Sequence, residues 1–269
     1  MLATQLTAVS TSATSEAYLL LEALTGLSRS ELLLRQRSLT PAEAARLQRW
    51  LERRLAREPL QHITGTAHFY GLELSVSPDV LIPRPETERL VELALTELRG
   101  QPSPRVLDVG TGSGAVALAI LHERPDAVVL ASDISAAALR LACSNAERCG
   151  LELSVCRSDL LGAARVQTFA RELDVLVANL PYLPASDALT VSPEVARDPA
   201  LALYSGADGL NLTRRLLNEA FTLLAPGTRC LLELDPRNVR RAAALAGAWA
   251  SVDVIADLVG RKRFLRLER

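Results

Sequence analysis

Val175-Leu176-Val177-Ala178 reads as a buried strand that stops at Asn179-Leu180-Pro181-Tyr182. This turn offers hydrogen-bond acceptors and a flat ring. The Asn179 side-chain oxygen is one acceptor. The Leu180 carbonyl is another, because the residue before Pro181 is held extended with its carbonyl displayed. Two acceptors hold both hydrogens of an NH2 group and fix its plane, and Tyr182 can pack on the flat face. The turn carries no group of suitable pKa for proton exchange with a hydroxyl or carbonyl, as a dehydrogenase would need. Its chemistry suits methyl transfer from a sulfonium to an exocyclic amino or amide nitrogen. The donor brings its own leaving group, so the protein mainly has to position the partners.

Three other loops carry chemistry. Asp108-Val109-Gly110-Thr111-Gly112-Ser113-Gly114 is glycine-rich, and its glycines let the backbone approach a ligand and turn tightly into a helix. Taken alone it is a weak signal, since Gly110–Ala115 also satisfies the dinucleotide pattern. Asp133 lies nineteen residues past Gly114 and can accept from both ribose hydroxyls of either kind of cofactor. Ser158-Asp159-Leu160 joins a carboxylate to an apolar side chain, which suits the amino group and the face of an adenine. Each acid alone also reads as an ordinary helix cap.

The elements that must position these loops alternate. From Arg105 onward, strands are predicted at 105–109, 127–132, 153–157, 173–178, 230–234, 252–256 and 263–267, with helices between them. The alternation predicts an α/β fold, a doubly wound, mostly parallel seven-stranded Rossmann-like sheet with helices on both faces. The last strand pair is short enough in its connection to be antiparallel. Ligands of such a sheet sit outside the carboxyl ends of its strands, where all four loops fall. Residues 15–57 read as three short helices, the third opened by Thr40-Pro41-Ala42-Glu43 as a capping box with proline at the first helical position. They serve equally well as a substrate-recognition module or as a structural cap. Residues 1 to about 12 are expected to be poorly ordered. Residues 69–76 suggest a β-hairpin, and Pro83-Arg84-Pro85 a rigid entry to a helix whose apolar face is Leu90, Val91, Ala94 and Leu98. The expected division is a helical domain over 1–68, a hairpin linker over 69–85 and a catalytic domain over 86–269.

Composition narrows the partners. The formal net charge is −1 and aromatic residues are 4% of the chain, which gives no global field or stacking surface for nucleic acid. No stretch is long and apolar enough to span a membrane. Cys143, Cys149, Cys156 and Cys230 show no CxxC spacing and read as reduced thiols of a cytoplasmic protein. The three histidines show no metal-ligand pattern, so no metal is expected.

Leu81–Glu88, spelled LIPRPETE, is far more specific than any of these loops. With Glu58-Pro59-Leu60-Gln61 upstream, and Asp198–Leu203, Gly206 and Asp208–Leu210 downstream, it resembles the peptide chain release factor glutamine methyltransferases, the HemK/PrmC family. The resemblance covers roughly residues 15–269. It implies an S-adenosyl-L-methionine-dependent enzyme, yielding S-adenosyl-L-homocysteine, that methylates the side-chain amide of the glutamine in the GGQ loop of class 1 release factors. By matching position, Gly110, Thr111, Gly112, Ser113 and Gly114 pass the methionine part of the cofactor, Asp133 the ribose, and Asp159 and Leu160 the adenine. Asn179 borders both ligands, and Asn179, Leu180, Pro181 and Tyr182 hold the substrate glutamine and form the catalytic set. The family also implies a helical N-terminal domain that helps dock the release factor; this N-terminus reads as shorter than usual, with its first helix missing or weak. Leu180 stands where the family usually has a proline, and the tetrapeptide Asn-Leu-Pro-Tyr also occurs in enzymes that methylate adenine in RNA. Adenine-N6 methylation of RNA or DNA is therefore the competing reading, and a cofactor-binding module without turnover a third. No direct nucleic-acid contact is expected, and a monomer is.

Overall fold

The structure is a computed structural model that describes residues 2–35 and 37–269. The chain forms two compact units, residues 1–66 with 191–197, and residues 67–190 with 198–269.

The first unit is helical: α1 (Leu2–Leu6), α2 (Ala13–Thr25), α3 (Arg29–Arg35), α4 (Pro41–Leu55) and α5 (Leu60–Thr64). The start of α4 is the predicted capping box, with Thr40 accepting from the Glu43 N–H and Glu43 accepting from the Thr40 N–H. Leu6, Ala17, Leu20, Trp50, Leu51 and Ile63 make its core. The expectation of a disordered start is corrected: Leu2–Leu6 is helical and Leu6 is fully buried, so an apolar contact outweighs the weak local propensity. Met1 lies outside the described residues. Segment 191–197 joins this unit through Glu194, which accepts from Arg54 at 3.0 Å and Arg57 at 2.9 Å. Arg54 also donates to Glu16 at 2.8 Å and to the Val9 carbonyl at 3.2 Å. Its charge is thus buried with acceptors on several sides.

The second unit holds the hairpin β1 (Thr66–Phe69) and β2 (Leu72–Ser75), then a 3-10 turn over Pro85–Thr87 that opens α6 (Glu88–Glu97). After it come β3 (Arg105–Val109), α7 (Ala115–Glu123), β4 (Val128–Asp133), α8 (Ala136–Cys149), β5 (Ser154–Arg157), α9 (Ala164–Ala170) and β6 (Val175–Ala178). The chain ends with α10 (Ala200–Leu203), α11 (Asn211–Leu223), β7 (Arg229–Glu233), α12 (Val239–Leu245), β8 (Ser251–Ala256) and β9 (Lys262–Glu268). The sheet order is β5-β4-β3-β6-β7-β9-β8. The first five strands are parallel, and β9 inserts antiparallel between β7 and β8. Strands buried on both faces read as continuous apolar runs. Thus Leu107, Val109, Leu176 and Ala178 enter one core while Val106, Val175 and Val177 enter the other.

The chain leaves β3 toward β4 and β5 on one side and returns to β6 on the other. The carboxyl ends of β3 and β6 therefore flank the point where the winding reverses, the place such sheets leave a crevice. Their register pairs Val109 with Ala178, which sets the first residues after each strand, Gly110 and Asn179, side by side.

Candidate active site

A cavity of about 390 Å³ opens at this crevice, and all its walls belong to the second unit. Gly110–Ser113, Asp133, Asp159, Leu160, Asn179, Leu180 and Pro181 line it, so the four loops singled out in the sequence meet in one space. Phe69, Val80, Leu81, Pro83, Arg84 and Thr87 add a second wall from the hairpin linker and the LIPRPETE stretch.

The glycine loop is held from beneath. Asp108 is buried and accepts from the Thr111 hydroxyl at 2.6 Å. Burial pushes its carboxyl up to about 7, against the Thr111 hydrogen bond, which works to lower it. Asp133 is committed at both oxygens, taking the Gly112 N–H at 2.9 Å and the Ser135 N–H at 2.8 Å. Carboxylate oxygens accept more than one bond, so ribose hydroxyls can still be received. Gly110 has φ +77, and a Cβ there would come within 2.7 Å of the Leu180 side chain. The glycine loop and the asparagine turn are therefore fitted to each other, with Leu180 buried against the backbone of Gly110. Asn145, fully buried on α8, donates to the Ser113 carbonyl at 2.9 Å and exchanges bonds with Ser75 on β2. It ties the glycine loop to the hairpin.

At the far end Asp159 faces Arg215 of α11 at 2.9 Å, and both line the cavity. Leu160 is buried in the left-handed region at φ 48, a conformation that costs energy for a branched side chain. The Ser158 hydroxyl holds it, donating to the Leu160 carbonyl at 2.7 Å.

Asn179 stands at the near end of the cavity. Its Nδ2 donates to the Thr87 hydroxyl at 3.0 Å. Its Oδ1 is buried and has no hydrogen-bond partner among the described residues. An unpaired buried acceptor costs free energy unless a ligand donor completes it. Tyr182 behaves differently from the rest of its turn. It does not line the cavity but packs against the core, near Glu233 and Arg263, and burial raises its phenol well above the usual range. Its carbonyl backs onto Gly209, where a Cβ would collide with it. Leu183 and Tyr204 form a bridge, so the Asp198–Leu210 segment braces the asparagine turn from outside. Arg84, whose role the sequence leaves open, bonds Asp198 at 2.5 Å and so links the LIPRPETE stretch to that same segment.

Comparison with known proteins places the chain in a family. Residues 2–65 match the family described as PrmC N-terminal domain, and residues 88–208 the family described as Methyltransferase small domain. A release factor glutamine methyltransferase of Deinococcus radiodurans is 46% identical over 256 residues, covering 94% of this chain and 90% of the relative. The chain belongs to the release factor glutamine methyltransferases. Another member of the family, from Moorella thermoacetica, is 41% identical over 94% of this chain and 91% of its own. A methyltransferase structure from Pyrococcus furiosus shares the fold, with TM-score 0.51 and 18% identity over 85% of this chain and 98% of its own.

The residues present fit the family's cofactor, S-adenosyl-L-methionine. The cavity joins a glycine cradle open to backbone approach, a buried carboxyl at Asp108 suited to a cationic ligand, an acid at Asp133 suited to hydroxyls, and an apolar floor at Leu160. Sequence reasoning missed Thr87, Asn145, Arg215 and Glu233. Asn145 carried a usable signal, a polar residue between Ala142 and Ala146 on the apolar face of an amphipathic helix. Glu233 carried none.

Proposed function

We propose that this chain transfers a methyl group from S-adenosyl-L-methionine to the side-chain amide nitrogen of the GGQ glutamine of class 1 release factors. The observation that carries the reading is the Asn179 Oδ1, a buried acceptor without a partner among the described residues, on the wall of the cavity. A substrate NH2 group is the donor that satisfies it. The cofactor supplies an electrophilic methyl on a sulfonium. Asn179 Oδ1 and the Leu180 carbonyl accept hydrogen bonds from the two amide hydrogens and hold the nitrogen's plane; as the C–N bond forms and the sulfonium C–S bond breaks, one of those protons leaves to solvent, and Pro181 keeps the turn stiff. Gly110–Gly114 with Asp133, Asp159 and Leu160 hold the donor. Tyr182 serves by packing behind the turn. Residues 1–68 serve as docking domain, 69–85 as linker and 86–269 as the transferring domain. We place the enzyme in the cytoplasm as a monomer that needs no nucleic acid; among the described residues no helix is long and apolar enough to cross a membrane.

Incubation with methyl-labelled cofactor and a class 1 release factor tests this. Label confined to the GGQ glutamine is expected. Label in RNA or DNA with an unlabelled release factor would instead establish the adenine reading, which Asn179–Tyr182 alone fits equally well.

A further inference from the structure

An asparagine amide can sit either way round in its pocket, and only one of the two orientations presents oxygen to a substrate NH2 group. Something must set that direction. Asn179 Nδ2 donates to Thr87 Oγ1 at 3.0 Å, so Thr87 is the acceptor in that bond. Its own hydroxyl hydrogen is then left for another acceptor, and the Glu233 carboxylate lies within its reach. Glu233 is the last residue of β7. The parallel register pairs Ala178 with Leu232, which puts Glu233 one step on, beside Asn179. It is 2% exposed, and its Oε2 has no hydrogen-bond partner among the described residues. Glu233 does not line the cavity, whereas Thr87 does.

We propose that Thr87 and Glu233 are positioning residues for the transfer: Glu233, an acceptor-only group at the end of β7, makes Thr87 donate to it, and Thr87 must then accept from Asn179, which turns the Asn179 oxygen toward the substrate. A carboxylate has no hydrogen to give, so the whole chain can run in one direction only. A neutral group at its end would allow both directions. This extends the role proposed above for Asn179 and rests on it.

The placement also explains why LIPRPETE accompanies the asparagine turn in one chain. Thr87 belongs to the first and works on the second. The charged and titratable groups that face Glu233 are Arg263 on β9, Glu86 on the 3-10 turn and Tyr182 after β6. Arg263 favours the carboxylate but is shared with Asp257 at 3.3 Å, and Glu86 opposes it. Burial dominates and raises the Glu233 carboxyl to about 7. Below that pH the protonated group can donate to Thr87, and the single direction is lost.

Four proteins test the inference: wild type, Thr87→Val, Thr87→Ser and Glu233→Gln. Valine keeps the shape of threonine and removes the hydroxyl. With saturating cofactor, Thr87→Val is expected to lower kcat about 10-fold while cofactor affinity stays within about twofold, and Thr87→Ser to recover most of the loss. Wild-type kcat is expected to fall as pH drops below about 7, and Glu233→Gln to flatten that limb. Wild-type kcat in Thr87→Val, or a serine variant no better than valine, would overturn it, as would an acid limb that survives Glu233→Gln. The side-chain amide protons of Asn179, read by NMR without substrate, separate this inference from the functional one. One of them should be held by hydrogen bonding in the wild type and released in Thr87→Val. Unchanged Asn179 signals would sink the chain of bonds even if the wild type labels its glutamine, and changed signals would support it whatever the acceptor proves to be.

Discussion

Two side chains divide the work at the residue scale, and they should fail differently. In the proposed reaction, Asn179 holds the group that receives the methyl. Asn179→Ala removes one positioned acceptor, so turnover should fall roughly 100-fold with cofactor affinity largely intact. Isothermal titration with the cofactor and a labelled-methyl assay separate the two, and near-normal turnover would mean the acceptor lies elsewhere. Asp108 lines the cavity beneath the glycine loop. Its carboxyl is raised by burial to about 7 from 3.8, so the folded state holds the proton more tightly than the unfolded chain. Stability from this group is complete below the unfolded value and is lost as pH rises through about 7. Asp108→Asn keeps an acceptor for Thr111 and removes the buried charge. It should raise Tm at pH 8 and leave it nearly unchanged at pH 4, as differential scanning fluorimetry can show. The same change should weaken binding of a cationic cofactor, and wild-type affinity should itself rise with pH through about 7.

At the scale of elements, the site depends on loops fitted to each other. Gly110 and Leu180 follow adjacent parallel strands, and a methyl group on the first meets the side chain of the second. Gly110→Ala should destabilise the protein by about 1–3 kcal/mol through overpacking and the positive φ. Leu180→Ala in the same chain should relieve the clash but not the backbone strain. The double variant should then lose less than the sum of the singles, with a coupling of about 1 kcal/mol by urea unfolding. Strict additivity would show that the loops are independent. The elements themselves were legible from their chemistry. The capping box at Thr40 and Glu43 and the alternating strands appear where local patterns place them. Helix α9 escaped because it is seven residues long and has no capping side chain. The insertion of β9 between β7 and β8 escaped because strand order is a matter of pairing across the sheet, which no local pattern records.

For the whole molecule, the segment 191–197 matters most. It follows the asparagine turn in sequence yet is counted with the N-terminal helices, held there by Glu194 on Arg54 and Arg57. Arg54→Ala would leave Glu16 and Glu194 partly buried without their shared cation. A loss of about 3 kcal/mol is expected, seen as earlier melting of the helical unit and faster proteolysis near residue 190. Calorimetry matching the wild type would show that the first unit does not depend on this clasp.

Sequence alone determined the reaction type, because acceptors in a rigid turn, a glycine loop and spaced acids are local chemistry written in consecutive residues. It also determined the family, through LIPRPETE and the Asp198–Leu210 segment. What only the tertiary structure decided is which of these residues meet. Tyr182 packs on the core instead of lining the cavity, Arg84 closes on Asp198, and Thr87 reaches Asn179 from 92 residues away. Such contacts depend on parallel strand register and on burial, which arise from packing distant segments together.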